Sequence, residues 1–267
     1  MSVACSDLDD LDADDLLDDG LTSGFADPPL PGVDPAERDD EPGDDAGDAG
    51  DAGDESGDGY DPAALGDDFD GDELSGWGLF NDALATRSVE GGHLMLDAGA
   101  NTAWVHGQTA ILLSKEVAGD FMATASLRVV GLAAPDEPPP PIFRFGGLLA
   151  RSAQDGPENT VHIALGTDDD PSVETKSTRD GVSTWQGPPW PSAAGEVRIC
   201  RLGSSFLMYV READGAWVLS NAYARPDMPE VLEVGPMAFN NSPTPDLHVS
   251  FDFVHFAAVS SQADCEQ

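Results

Sequence analysis

The chain has 267 residues, enough for one large sandwich or two small domains, and sets 51 acidic against 12 basic residues for a formal net charge of -39. So anionic a chain is repelled by phosphate backbones and anionic headgroups, which argues against nucleic acid as a partner. No apolar run is long enough for a membrane-spanning helix, so no transmembrane segment is expected.

The charge is uneven, because residues 1–60 hold 21 of the acids and one base, Arg38. Asp, Gly, Ala and Pro dominate there and large apolar side chains are scarce, so residues 1–64 are expected as a disordered acidic tether. Neither DLDADDLLDDG nor the DAG run has the ligand order of an EF-hand loop, so only loose cation condensation is expected on it. The first residues, Met1-Ser2-Val3-Ala4-Cys5-Ser6, resemble the tail of a bacterial lipoprotein signal with its charged and apolar regions missing. Cys5 is therefore a candidate lipid anchor, with an accidental Cys in the tether as the alternative. The expected location is extracellular, at the cell surface or outer membrane. If Cys5 carries lipid, Cys200 and Cys265 are left as a candidate disulfide that would pin the C-terminal tail, residues 261–267. The alternative is a buried thiol at Cys200 and a stray Cys265.

Ordered structure is expected over residues 65–260. It opens at Asp68-Phe69-Asp70, and strands follow at residues 92–96, 103–106 and 109–114. The clearest local signal comes next, at 119–129, where Phe121, Ala123, Ala125, Leu127 and Val129 alternate with Met122, Thr124, Ser126 and Arg128. The proline-rich stretch 133–141 is expected as a stiff exposed excursion between two strands. Strands at 145–151 and 160–166 read as neighbours, and 173–178 with 182–185 as a hairpin around Arg179-Asp180-Gly181. Further strands at 196–202, 205–211, 216–219, 231–240 and 247–256 bring the count to about twelve to fourteen. With no amphipathic helix among them, the expected class is an all-β sandwich.

The order of landmarks resembles concanavalin A-like jelly rolls. The matching stretches are Asp68-Phe69-Asp70, Gly92-x-Leu94-x-Leu96, Gly119-Asp120-Phe121, Gly147-Leu148-Leu149-Ala150-Arg151, Asp214-Gly215-x-Trp217 and Gly235-Pro236 before a closing strand with Asp252. The resemblance covers residues 66–258 and implies two antiparallel sheets. It names no function, since the superfamily spans lectins, laminin G-like modules, carbohydrate-binding modules and laminarinase-type hydrolases. Those hydrolases carry Glu-x-Asp-x-x-Glu on one strand, and no such run occurs here. The expectation leans to a non-enzyme.

For a ligand, Trp185 and Trp190 share one Gly/Pro-rich loop, either as a stacking platform for sugar rings or as a plug for the sandwich edge. Alternation puts Arg151, His162, Glu174, Lys176 and Thr178 on the sheet face opposite the apolar residues, beside that loop. The polar face of the 119–129 strand is expected to join this surface. No cofactor is expected except a structural calcium, which some sandwiches of this kind hold with acids from the first and last strands; Asp68, Asp70 and Asp252 occupy matching regions, with simple solvation as the alternative. The first expectation is an extracellular carbohydrate-binding or adhesive module, with a glycan or cell-surface component as partner. A glycoside hydrolase or polysaccharide lyase with carboxylates from separate strands comes second. A structural or protein-interaction module comes third.

Overall fold

The computed structural model describes residues 60–71, 73–104, 109–153 and 158–267. The chain divides into Met1–Glu55 and Ser56–Gln267, and every described residue belongs to the second unit. Nearly all of the expected tether, including Cys5, lies outside the described residues.

In chain order the strands are β1 (Gly78–Phe80), β2 (Ala85–Glu90), β3 (His93–Ala98), β4 (Ile111–Ala118) and β5 (Phe121–Val130). There follow β6 (Arg144–Arg151), β7 (Thr160–Thr167), β8 (Pro171–Arg179), β9 (Val182–Gln186) and β10 (Ala194–Leu202). The last four are β11 (Ser205–Arg211), β12 (Val218–Ala224), β13 (Val231–Asn240) and β14 (His248–Ala258). They form two antiparallel sheets of seven strands: a first in the order β1-β4-β13-β6-β7-β8-β9, and a second in the order β12-β11-β10-β5-β14-β3-β2. The expected all-β sandwich is what forms.

Period-two alternation explains why the sheets face each other. In β5, at the centre of the second sheet, Phe121, Ala123, Ala125, Leu127 and Val129 all enter the core between the sheets. Leu148, Val161, Ile163 and Val173 meet them from the first sheet. Each fully buried side chain of this size stabilises the fold by about 1.5–3 kcal/mol. The sheets approach closely where small residues allow it: a Cβ on Gly146 would lie 2.5 Å from the Val249 side chain of the opposite sheet.

Both boundaries of the sandwich are tied to it. The sandwich starts a turn before residue 65, since Pro62 is buried in a 3-10 turn capped by Asp61, and the Tyr60 hydroxyl accepts from the Ala118 N–H. Residues 261–267, expected as a tail that a Cys200–Cys265 bridge would pin, are docked on the second sheet. Cys265 ends the short helix α1 (Gln262–Cys265) and is disulfide-bonded to Cys200 of β10, with Cα atoms 5.9 Å apart. The Arg198 guanidinium donates to the Cys265 and Gln267 carbonyls, and the Trp217 indole N–H donates to Gln267 O at 3.1 Å. Arg198 also stacks on the Trp217 ring at 3.9 Å. Burial and the neighbouring Arg211 lower its pKa to about 10.

Candidate functional site

On the outer face of the first sheet, hairpin geometry sets the positions. Asp180 and Gly181 both take positive φ (51° and 78°), the two-residue turn that matches strand twist, and this places Arg179 opposite Val182. Counting back from that turn, Lys176 falls opposite Trp185. On the other side of β8, Lys176 lies opposite His162 and Glu174 opposite Ala164. Thr175 and Ser177 point inward, bonding Asn221, Tyr223 and Arg225, so Glu174, Lys176 and Thr178 turn outward.

These outward side chains do not meet open solvent. Trp104, Phe145, Leu149, Met237 and Phe239 form a second apolar cluster, and β6 and β7 are buried along their full length. A pocket of about 230 Å³ remains, walled by Trp104, Phe143, Trp185 and Phe239, with Glu174 and Lys176 as its charged groups. Phe143 meets the Trp185 ring edge-on at 5.8 Å. The Trp104 indole N–H is buried without a partner.

The charged groups act as a unit. His162 Nε2 is 2.8 Å from Glu174 Oε1, and Lys176 Nζ is 3.1 Å from the same oxygen. Burial lowers the His162 pKa against the pull of Glu174, and Lys176 lowers it further, so the ring is neutral. With no partner on Nδ1, the proton sits on Nε2 and is donated to Glu174. Burial pushes the Glu174 carboxyl up, but the His162 hydrogen bond and the Lys176 charge outweigh it and hold the group below the ordinary range. The result is an ionised carboxylate balanced by one ammonium, beside aromatic walls.

The other expected site residues are distributed as follows. Arg151 shares the outer face but bonds Glu233 at 2.8 Å and lies over Phe80. Thr178 bonds Ser183 at 2.9 Å. Neither lines the pocket. The two-tryptophan platform is not formed: Trp185 is 50% exposed, whereas Trp190 packs against the main core and its backbone N–H bonds Pro171 O. Trp190 is the plug and Trp185 stands alone. Of the acids proposed for calcium, Asp68 bonds His255 at 2.7 Å and Asp252 bonds Ser126 at 2.8 Å. Among the described residues no group of three or more His, Cys, Asp or Glu is placed to hold a metal ion. The outer face of β5 belongs to the second sheet, so Ser126 and Arg128 do not adjoin Trp185. Sequence reading missed Trp104, Phe143 and Phe239 as pocket walls. Phe143 has a positive φ of 42°, rare for a bulky residue and invisible in composition.

Chemically, the pocket offers ring faces for stacking and charged groups for hydroxyls. It is lined by one carboxylate, while glycoside hydrolysis by the common routes needs two, about 5–10 Å apart.

No protein-family profile and no curated protein matches the chain. Solved structures do. A functionally unknown protein from Saccharomyces cerevisiae matches with a TM-score of 0.59 at 18% identity, over 71% of this chain and 100% of its own. The GH43 protein BlXynB from Bacillus licheniformis matches at 0.59 and 14% identity, over 73% of this chain. A xylan beta-1,4-xylosidase from Bacillus halodurans C-125 matches at 0.53 and 15%, over 72%. This chain spans 39% and 38% of those two Bacillus proteins. The likeness establishes the fold.

Proposed function

We propose that the sandwich is a non-catalytic carbohydrate-binding module whose pocket beside Trp185 takes a sugar ring. The observation that carries this reading is the half-exposed Trp185 at the rim of an aromatic pocket with an ionised, charge-balanced Glu174 inside it. An exposed indole beside a concave apolar wall suits the C–H face of a pyranose, and fixed polar groups suit its hydroxyls. Fold neighbours that include a xylan beta-1,4-xylosidase are consistent with a saccharide ligand. Extracellular presentation on the acidic N-terminal segment, with lipid on Cys5, belongs to the same reading.

A glycan array probed with wild-type protein and with Trp185→Ala tests it. Binding to a set of neutral glycans that falls at least tenfold in the variant is the expected outcome. A blank array, with and without calcium, would end the proposal. The non-catalytic part has its own check: incubation with the bound glycans should release no new reducing ends.

A further inference from the structure

A second concavity lies on the outer face of the second sheet. It is a groove of about 500 Å³, more than twice the volume of the Trp185 pocket. Its floor crosses four adjacent strands, β3, β14, β5 and β10. With strands 4.7–4.9 Å apart, that row is about 14 Å long. The groove is therefore too long for one small ring and suited to a chain.

Its polar groups follow from strand register. Leu127 and Phe251 turn into the core, so Ser126, Arg128 and Ser250 turn out. Glu196 of β10 lies opposite Ser126. On the other flank the β5–β14 pairing passes from Phe251↔Leu127 to Phe253↔Ser126, which leaves Asp252 as an extra, bulged residue. A bulge re-aims a side chain, and this one sends Asp252 outward beside Ser126. Glu196, Ser126 and Asp252 thus form a row across three strands.

These groups are already held. The Ser126 hydroxyl donates to Asp252 Oδ2 at 2.8 Å, and His93 Nδ1 is 3.3 Å from Oδ1. Arg211 donates to Glu196 at 2.7 Å. Arg128 donates to Pro135 O at 2.9 Å, which fixes the proline-rich stretch as one wall. Side chains fixed before binding lose little freedom when a ligand arrives. The lining has no aromatic ring other than the imidazoles of His93 and His248. It presents carboxylates, hydroxyls, imidazoles and a guanidinium, which together accept from and donate to sugar hydroxyls. Two carboxylates against Arg128 give no positive surplus, and the net charge of -39 repels anions.

We infer that this groove is a second saccharide-binding site, for an uncharged sugar chain of more than one ring, on the face of the sandwich opposite the Trp185 pocket. It does not depend on that pocket.

The test is an array of neutral and uronate-bearing oligosaccharides, probed with wild type, Trp185→Ala, Ser126→Trp and Asp252→Ala. A set of neutral oligosaccharides should remain bound by Trp185→Ala and fall at least tenfold in both groove variants. Should Ser126→Trp lose its native circular dichroism spectrum, Asp252→Ala decides alone. The inference is overturned if the groove variants keep every glycan, or if the glycans they lose are uronates. Loss of all binding in Trp185→Ala removes the groove and leaves the pocket. Loss of all binding in the groove variants, with Trp185→Ala unaffected, does the reverse. A blank wild-type array removes both.

Discussion

The two outer faces carry the same kind of pair in opposite surroundings. On the first sheet, His162 and Glu174 meet at 2.8 Å with side chains 0% and 1% exposed. On the second, His255 and Asp68 meet at 2.7 Å with side chains 50% and 65% exposed. Distance does not distinguish them; the surroundings do. Beneath Trp104 and Phe239 the pair cannot exchange its partner for water, and Lys176 becomes obligatory as the counter-charge. In solvent the pair is screened and replaceable. The His–carboxylate pair is thus structural on the first face and replaceable on the second.

The largest test of that contrast is Lys176→Met. It leaves the Glu174 charge buried without its counter-ion and should destabilise the fold by about 3–5 kcal/mol in urea unfolding. An effect under 1 kcal/mol would show that the first face is wetter than its burial implies. Next is Cys265→Ser. The bridge joins residues 65 apart in sequence, and its loss should cost about 2–4 kcal/mol in a thermal melt without reductant. A melt unchanged by the substitution would mean that Arg198 and Trp217 hold the C-terminal turn by themselves.

The third test is pH. His162 has a folded pKa below its ordinary 6.5, so the unfolded chain binds more protons just below that pH. Stability should fall as pH drops from 6.5 toward the depressed value. Glu174, depressed from 4.5, contributes stability that is present above 4.5 and lost as pH falls through its folded value. His162→Gln keeps a donor to Glu174 and should flatten the slope just below pH 6.5 in denaturant titrations. An unchanged slope would assign it to another group. The smallest effect belongs to His255→Ala, expected to cost below about 1 kcal/mol. A cost equal to that of Lys176→Met would erase the contrast between the faces.

Much of this was legible in the sequence where one strand has one buried face. The β5 alternation and the Asp180-Gly181 turn are local signals, and each gave the right element. Strands β1 and β2 escaped because they are short or half-exposed at an edge, so no clean alternation is imposed on them. Strand β12 was recognised only in its first two residues, for the same reason. Alternation also put Glu174 and Lys176 on the outer face correctly. What it could not supply is the roof, because Trp104, Phe143 and Phe239 come from three distant stretches. Trp185 and Trp190 show the same limit: five residues apart and expected in one loop, the first sits half-exposed on β9 and the second packs against the core.

The free edges have a consequence for the protein in bulk. Strand β12 bonds across to β8 through Asn221, Tyr223 and Thr175, so β9 and β12 end their sheets on the same side of the sandwich. Neither strand contains a charged residue, and Val182 and Val218 are 72% and 48% exposed. The opposite side is protected by the brevity of β1 and by Arg87 and Glu90 on β2. Mutual repulsion between copies of net charge -39 opposes pairing at these bare edges. Salt shortens the reach of that repulsion to about 3 Å at 1 M. Concentrated salt should therefore favour an edge-to-edge association that dilute buffer opposes.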